Sequence, residues 1–197
     1  MKFRALKALA AAAAFQLSML ATTAFAASVV PLDLEQIVAA AEHIVHVRCT
    51  ANVVEADATV GIVTVTTFVV LDRAKGGNDS TFTVRQVGGE LNGLAVDYHV
   101  PKFRVGQEYV LFMPPASKLG LASPVGLSQG AFTVAPGVAG SKEVGNGRDF
   151  GELLGGVDPA SLPPGVRARL RDEARPRTPR MELGEFMSLT RAKAVQR

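Results

Sequence analysis

Cysteine is nearly absent: the 197 residues contain one, Cys49, so no intramolecular disulfide can staple the fold and an apolar core must hold it. Cys49 itself reads as a small buried hydrophobe rather than a reactive thiol. Aromatic residues are few, at 6%, and charged residues make up 20% against 48% hydrophobic. This balance excludes disorder as the general state of the chain. Histidine occurs three times, and none follows His99. No Gly-x-Gly-x-x-Gly opens a helix and no phosphate-binding loop is present, so no nucleotide cofactor is implied.

What is present begins with a leader. Lys2, Arg4 and Lys7 precede an Ala-rich apolar run from Ala8 to Ala24 that ends in Ala24-Phe25-Ala26. A positive head, a short apolar middle and small residues at the cleavage site predict a signal peptide over residues 1–26. The expected product is exported, to the periplasm or the medium. No later segment is long and apolar enough to span a bilayer, so no integral membrane anchor is expected after cleavage. The leader carries three of the 21 basic residues and no acidic one, leaving 18 basic against 18 acidic. The sequence pI of about 9.2 thus describes the precursor and is no footprint for nucleic acid. A local asymmetry survives, with 7 basic and 10 acidic residues from Ala27 to Gly140 and 11 and 8 from Ser141 to Arg197.

The spacing after the leader predicts a helix over Asp33 to Glu42, with Asp33 capping, Gln36 completing a capping box, and Leu34, Ile37, Val38 and Ala41 on one face. The period then changes to two. Val45, Val47, Cys49, Ala51 and Val53 alternate with His46, Arg48, Thr50 and Asn52, which predicts a strand with a solvent-facing His46. A second strand is expected from Val60 to Leu71, its alternation slipping near Thr66-Thr67 as a bulge requires. A third runs from Thr81 to Val87 and stops at Gly88-Gly89. A short strand is possible near Leu94 to His99, and Glu108 to Met113, apolar on both parities, reads as buried. Leu121 to Gly126 and Ala131 to Ala135 are expected to pair across a tight turn with Gly130 at positive φ.

Five or six short strands without helical period predict a mainly β fold, a small antiparallel OB-like barrel over residues 27–140. Residues 141–180 are rich in Gly, Pro and Arg and read as linker, with a possible helix from Pro164 to Ala174. Residues 181–197 predict a C-terminal amphipathic helix with Leu183, Phe186 and Met187 on one face, expected to dock on the body.

Several chemistries fail on these residues. Gly126-Leu127-Ser128-Gln129-Gly130 matches a nucleophile-elbow pattern, but the expected context is a hairpin and no histidine follows the serine. His43, His46 and Cys49 are metal-ligand types three residues apart, yet strand parity sends His46 and Cys49 to opposite faces, so no metal site is expected. Nucleic acid fits poorly, because the body is net negative and several of its aromatics sit at core parity.

The order of motifs from Ala41 to Ala135 carries a resemblance. Phe68-Val69-Val70-Leu71 with Lys75-Gly76, then Val84 to Gly89, the run Pro101 to Phe112, and Gly126 with Gln129-Gly130-Ala131-Phe132 are similar to a group of uncharacterised exported bacterial proteins built on an OB-like barrel. Leu183-Gly184-Glu185-Phe186 looks like the closing helix of that group. The layout is more distantly similar to netrin-like barrels, which include the tissue inhibitors of metalloproteinases. Those inhibitors chelate the protease zinc through an N-terminal cysteine, whereas this chain after Ala26 starts Ala27-Ser28-Val29-Val30.

The leading expectation is therefore a non-enzymatic exported module that binds a protein or an envelope polymer, with no cofactor; the oligomeric state stays open. The loop Gly88 to Val100, carrying Glu90, Asn92, Asp97, Tyr98 and His99, is the candidate surface. Three other readings are a hydrolase whose site assembles only in three dimensions, using residues such as Glu90 and Asp97, a protease-inhibitor-like role that the likeness to netrin-like barrels implies by analogy of fold, and an assembly factor whose C-terminal helix docks on a partner.

Overall fold

A computed structural model describes residues 30–171 and 180–195. The expected leader, and the end of the helix expected to reach Ala174, lie outside the described residues. The fold is mainly β. Among the described residues nine strands form in chain order: β1 His43–Asp57, β2 Gly61–Lys75, β3 Thr81–Val87, β4 Gly89–Leu91, β5 Leu94–Val96, β6 Glu108–Met113, β7 Ala131–Pro136, β8 Lys142–Gly145 and β9 Met181–Glu182. Seven make one antiparallel sheet of order β3-β2-β1-β6-β7-β8-β9, and β4 and β5 pair as a separate hairpin. The sheet is open: β3 and β9 are its edges.

Helix α1, Leu34–Ala40, starts where the sequence places it. Asp33 accepts the Gln36 N–H while the Gln36 side chain accepts the Asp33 N–H, a reciprocal cap. Leu34, Ile37 and Val38 are buried, as is Ala41 just past the helix end. These residues join Ile44, Val110, Phe112, Phe132, Val134 and Val144 from the strands in the larger of two cores. Helix α4, Leu183–Val195, closes that core. Phe186 is fully buried, with its ring 4.8 Å from Phe132, 6.0 Å from Phe112 and 6.1 Å from Phe150. The C-terminal helix thus turns its apolar face onto its own body. The Gly/Pro-rich stretch from residue 141 contributes too: β8, helix α2 (Phe150–Leu153) and helix α3 (Pro164–Arg171) place Val144, Phe150, Leu153 and Val166 in the same core.

The second core lies on the other face, where Val45, Val47, Cys49, Phe68, Val84, Phe103, Tyr109, Leu111 and Met113 meet. β6 is apolar on both parities because it serves both: Val110 and Phe112 face the first core, and Tyr109, Leu111 and Met113 the second. Phe103 stacks edge-on at 5.1 Å against both Phe68 and Tyr109, and the Tyr109 hydroxyl accepts the Arg104 N–H at 2.9 Å.

Two expectations are corrected here. The strand expected from Leu121 to Gly126 does not form. Its Ala122 N–H donates to Arg85 O on β3 and its Val125 N–H to Phe112 O on β6, so the segment crosses between two strands instead of pairing along one. A 3₁₀ turn, Leu127–Gly130, follows. Positive φ falls at Gly126 and Leu127, both 59°, and not at Gly130. Gly130 is required for another reason: a Cβ there would lie 2.6 Å from Val125 O.

Candidate functional site

The two strands β1 and β2 are each 15 residues long, and one bulge decides what they present. The register runs Cys49↔Phe68 and then Ala51↔Thr67, leaving Thr50 as the extra residue on β1. The bulge expected near Thr66-Thr67 is corrected: β2 runs there in unbroken register with β3, and the inserted residue lies on the facing strand. An inserted residue reverses every later side chain. Val53, expected inward, is 54% exposed. Asn52, expected outward, turns in: its amide donates to Phe103 O at 2.8 Å and its carbonyl accepts the Thr66 hydroxyl at 2.8 Å.

These inward groups floor a cleft of about 360 Å³. Asn52 from β1, Thr64 and Thr66 from β2 and Gln86 from β3 form the floor; the β4–β5 hairpin and residues 97–103 form the wall. Gln86 is buried and donates one amide N–H to Ser123 Oγ at 3.2 Å. The hairpin lies against the sheet because of Gly88 and Gly89. Gly89 has φ +139°, and a Cβ there would meet Thr64 Oγ1 and Val54 Cγ1 at 2.8 Å. Thr64 Oγ1 also donates to Gly88 O at 2.7 Å. At the hairpin tip Asn92 and Gly93 both have positive φ, the two-residue turn that right-twisted strands favour.

The structure divides the candidate residues. Glu90, Asp97 and Tyr98 line the cleft, and Tyr98 is 59% exposed. Asn92, at the tip, and His99, exposed and at φ 59°, do not line it. Asp97 accepts from Lys102 at 2.7 Å and from the His99 N–H at 2.7 Å; the Lys102 bond first, then the backbone one, lowers its pKa. Asn52, Thr64, Thr66 and Gln86 were not anticipated. The one signal for them was the change along one face of β2 from apolar Phe68 and Val70 to polar Thr64 and Thr66.

A second cluster surrounds Glu108, on the face of β1 and β6 opposite Cys49. His46 Nε2 lies 2.9 Å from Glu108 Oε2, Arg48 Nη2 donates to Oε1 at 2.8 Å, and Lys142 Nζ donates to both oxygens at 2.9 and 2.7 Å. Burial, the largest single influence, raises the Glu108 pKa, but the bonds from Lys142, Arg48 and His46 together outweigh it and hold the carboxyl at about 2. The solvent-facing His46 of the sequence reading is corrected: it is 7% exposed, with its Nε2 turned onto Glu108. His46 and Cys49 face opposite sides, and His43 packs edge-on against Phe82 at 5.4 Å. Among the described residues no three His, Cys, Asp or Glu side chains gather in the manner of a metal site. Burial raises the pKa of the Cys49 thiol. Ser128 sits in the 3₁₀ turn and is followed by a strand, not by the helix a nucleophile elbow needs. No helix among the described residues is long and apolar enough to cross a membrane.

Comparison with family models, with curated proteins and with solved structures finds no match for this chain.

Proposed function

We propose that the protein is an exported, non-enzymatic binding module whose ligand, a protein or an envelope polymer, enters the cleft between the β4–β5 hairpin and the sheet. One observation carries the reading: an exposed tyrosine, Tyr98, stands beside a recessed floor of hydrogen-bonding side chains. Ligand sites are concave, mostly apolar and fitted with a few convergent polar groups. The leader pattern of residues 1–26 supports export. The strand order β3-β2-β1-β6-β7 supports an OB-like origin, as a Greek-key barrel left open, with residues 122–125 bridging from β3 to β6 where closure would occur.

The hydrolase reading draws on Glu90 and Asp97 lining one cleft. It ranks second because a hydrolytic pair sets its acid in an apolar pocket, whereas Glu90 and Asp97 are both exposed. The partner-docking reading of the C-terminal helix loses its surface, since Phe186, Met187 and Leu189 are buried in the body.

Capture from an envelope extract tests the proposal. Ala95 lines the cleft and is exposed, so Ala95→Trp fills the cleft without disturbing either core. The wild-type protein is expected to retain a component that the variant does not. Equal recovery by both would overturn the reading.

A further inference from the structure

From the chemistry of the cleft we infer that its ligand is a neutral saccharide, one or two rings at the end of a glycan, an inference that rests on the cleft being the binding surface. Charge comes first. The cleft has one basic residue, Lys102, and it is already paired with Asp97 at 2.7 Å. Nothing is left to neutralise an anionic ligand, while Glu90 is the one carboxylate without a cation. An anionic ligand would therefore bring an unbalanced charge into the recess, which is costly, whereas a cationic one would find only Glu90, an exposed carboxylate whose attraction solvent screens.

The floor points the same way. Asn52 and Gln86 are primary amides, each with two N–H donors and an acceptor oxygen. Gln86 has one N–H on Ser123, so its other N–H and its oxygen remain for a ligand. Asn52 has one N–H on Phe103 O, leaving the second. Amides that donate and accept side by side match hydroxyl groups, which do both. Tyr98 adds a ring whose face can cover the C–H side of a sugar, and Val87 and Val96 add apolar wall. The volume of about 360 Å³ is at the small end of ligand sites, which run from about 300 to 1,000 Å³, enough for a ring or two.

The test is a titration of the full chain with cellobiose and with N,N′-diacetylchitobiose, both neutral, read by ¹H–¹⁵N NMR of side-chain amides and by tyrosine fluorescence. No tryptophan is present and the second tyrosine, Tyr109, is 6% exposed, so a fluorescence change reports Tyr98. At least one disaccharide is expected to shift the Asn52 and Gln86 amides saturably, with Gln86→Leu and Tyr98→Ala each weakening binding about tenfold or more, as loss of a buried partner does. An anionic oligogalacturonate should bind no better. The inference is overturned if neither disaccharide shifts these amides, if oligogalacturonate binds more tightly, or if a peptide alone competes for the cleft. Those results leave the cleft reading standing when Ala95→Trp still abolishes envelope capture; equal capture by Ala95→Trp removes both.

Discussion

Replacing Glu108 by glutamine removes the one negative charge that Arg48, Lys142 and the His46 imidazole converge on, while preserving shape. The Glu108 side chain is 12% exposed, so solvent reaches the carboxylate itself little. A carboxyl held at about 2 instead of its ordinary 4.5 corresponds to about 3 kcal/mol favouring the folded, ionised form. The amide recovers part of this by accepting one bond, and Arg48 and Lys142, each about half exposed, return to water. A net loss of about 2 kcal/mol at neutral pH is expected. The sign of the pH dependence follows from the lowered pKa: the contribution is complete above about pH 4.5 and disappears as pH falls toward 2. Urea denaturation of wild type and Glu108→Gln across this range measures the difference directly, cancelling other carboxylates such as Asp57, which Arg85 also holds at about 2. A gap below about 0.5 kcal/mol at neutral pH, or one that stays constant down to about pH 2, would refute the reasoning.

Three further outcomes follow from packing. Phe186→Ala empties the meeting point of Phe112, Phe132 and Phe150 and should cost about 3–5 kcal/mol by the same denaturation assay; a loss under about 1 kcal/mol would mean that α4 is not part of the core. Gly89→Ala forces a Cβ into Thr64 and Val54 at positive φ, so it should cost about 1–3 kcal/mol and move the β4–β5 amide signals in NMR; unchanged signals would contradict the close approach. Cys49 is 1% exposed with its pKa raised by burial, so a thiol-specific disulfide reagent should label it only after unfolding; rapid labelling of the folded chain would place the thiol outside the core.

Local pattern made much of this fold legible. The Asp33/Gln36 cap, the limits of β3 and the two-faced burial of β6 were readable because each depends on neighbours within a few residues. β8 was hidden in glycine-rich sequence, since four residues at Lys142–Gly145 carry little periodicity. The expected strand at Leu121 has strand-like residues but hydrogen-bonds to two different strands. Of the site, Glu90, Asp97 and Tyr98 came from loop composition. The floor did not, because the alternation from Val45 to Val53 runs unbroken in the sequence through Thr50, the inserted residue that reverses β1.

The cleft as the binding surface is tested most directly by tyrosine footprinting in an envelope extract. The chain has two tyrosines, Tyr98 exposed and Tyr109 buried, so nitration of the native protein reports Tyr98. The account predicts that extract retained by the protein protects Tyr98 from nitration, and that Ala95→Trp abolishes the protection that extract confers. Undiminished nitration of Tyr98 while a component is demonstrably bound would contradict it.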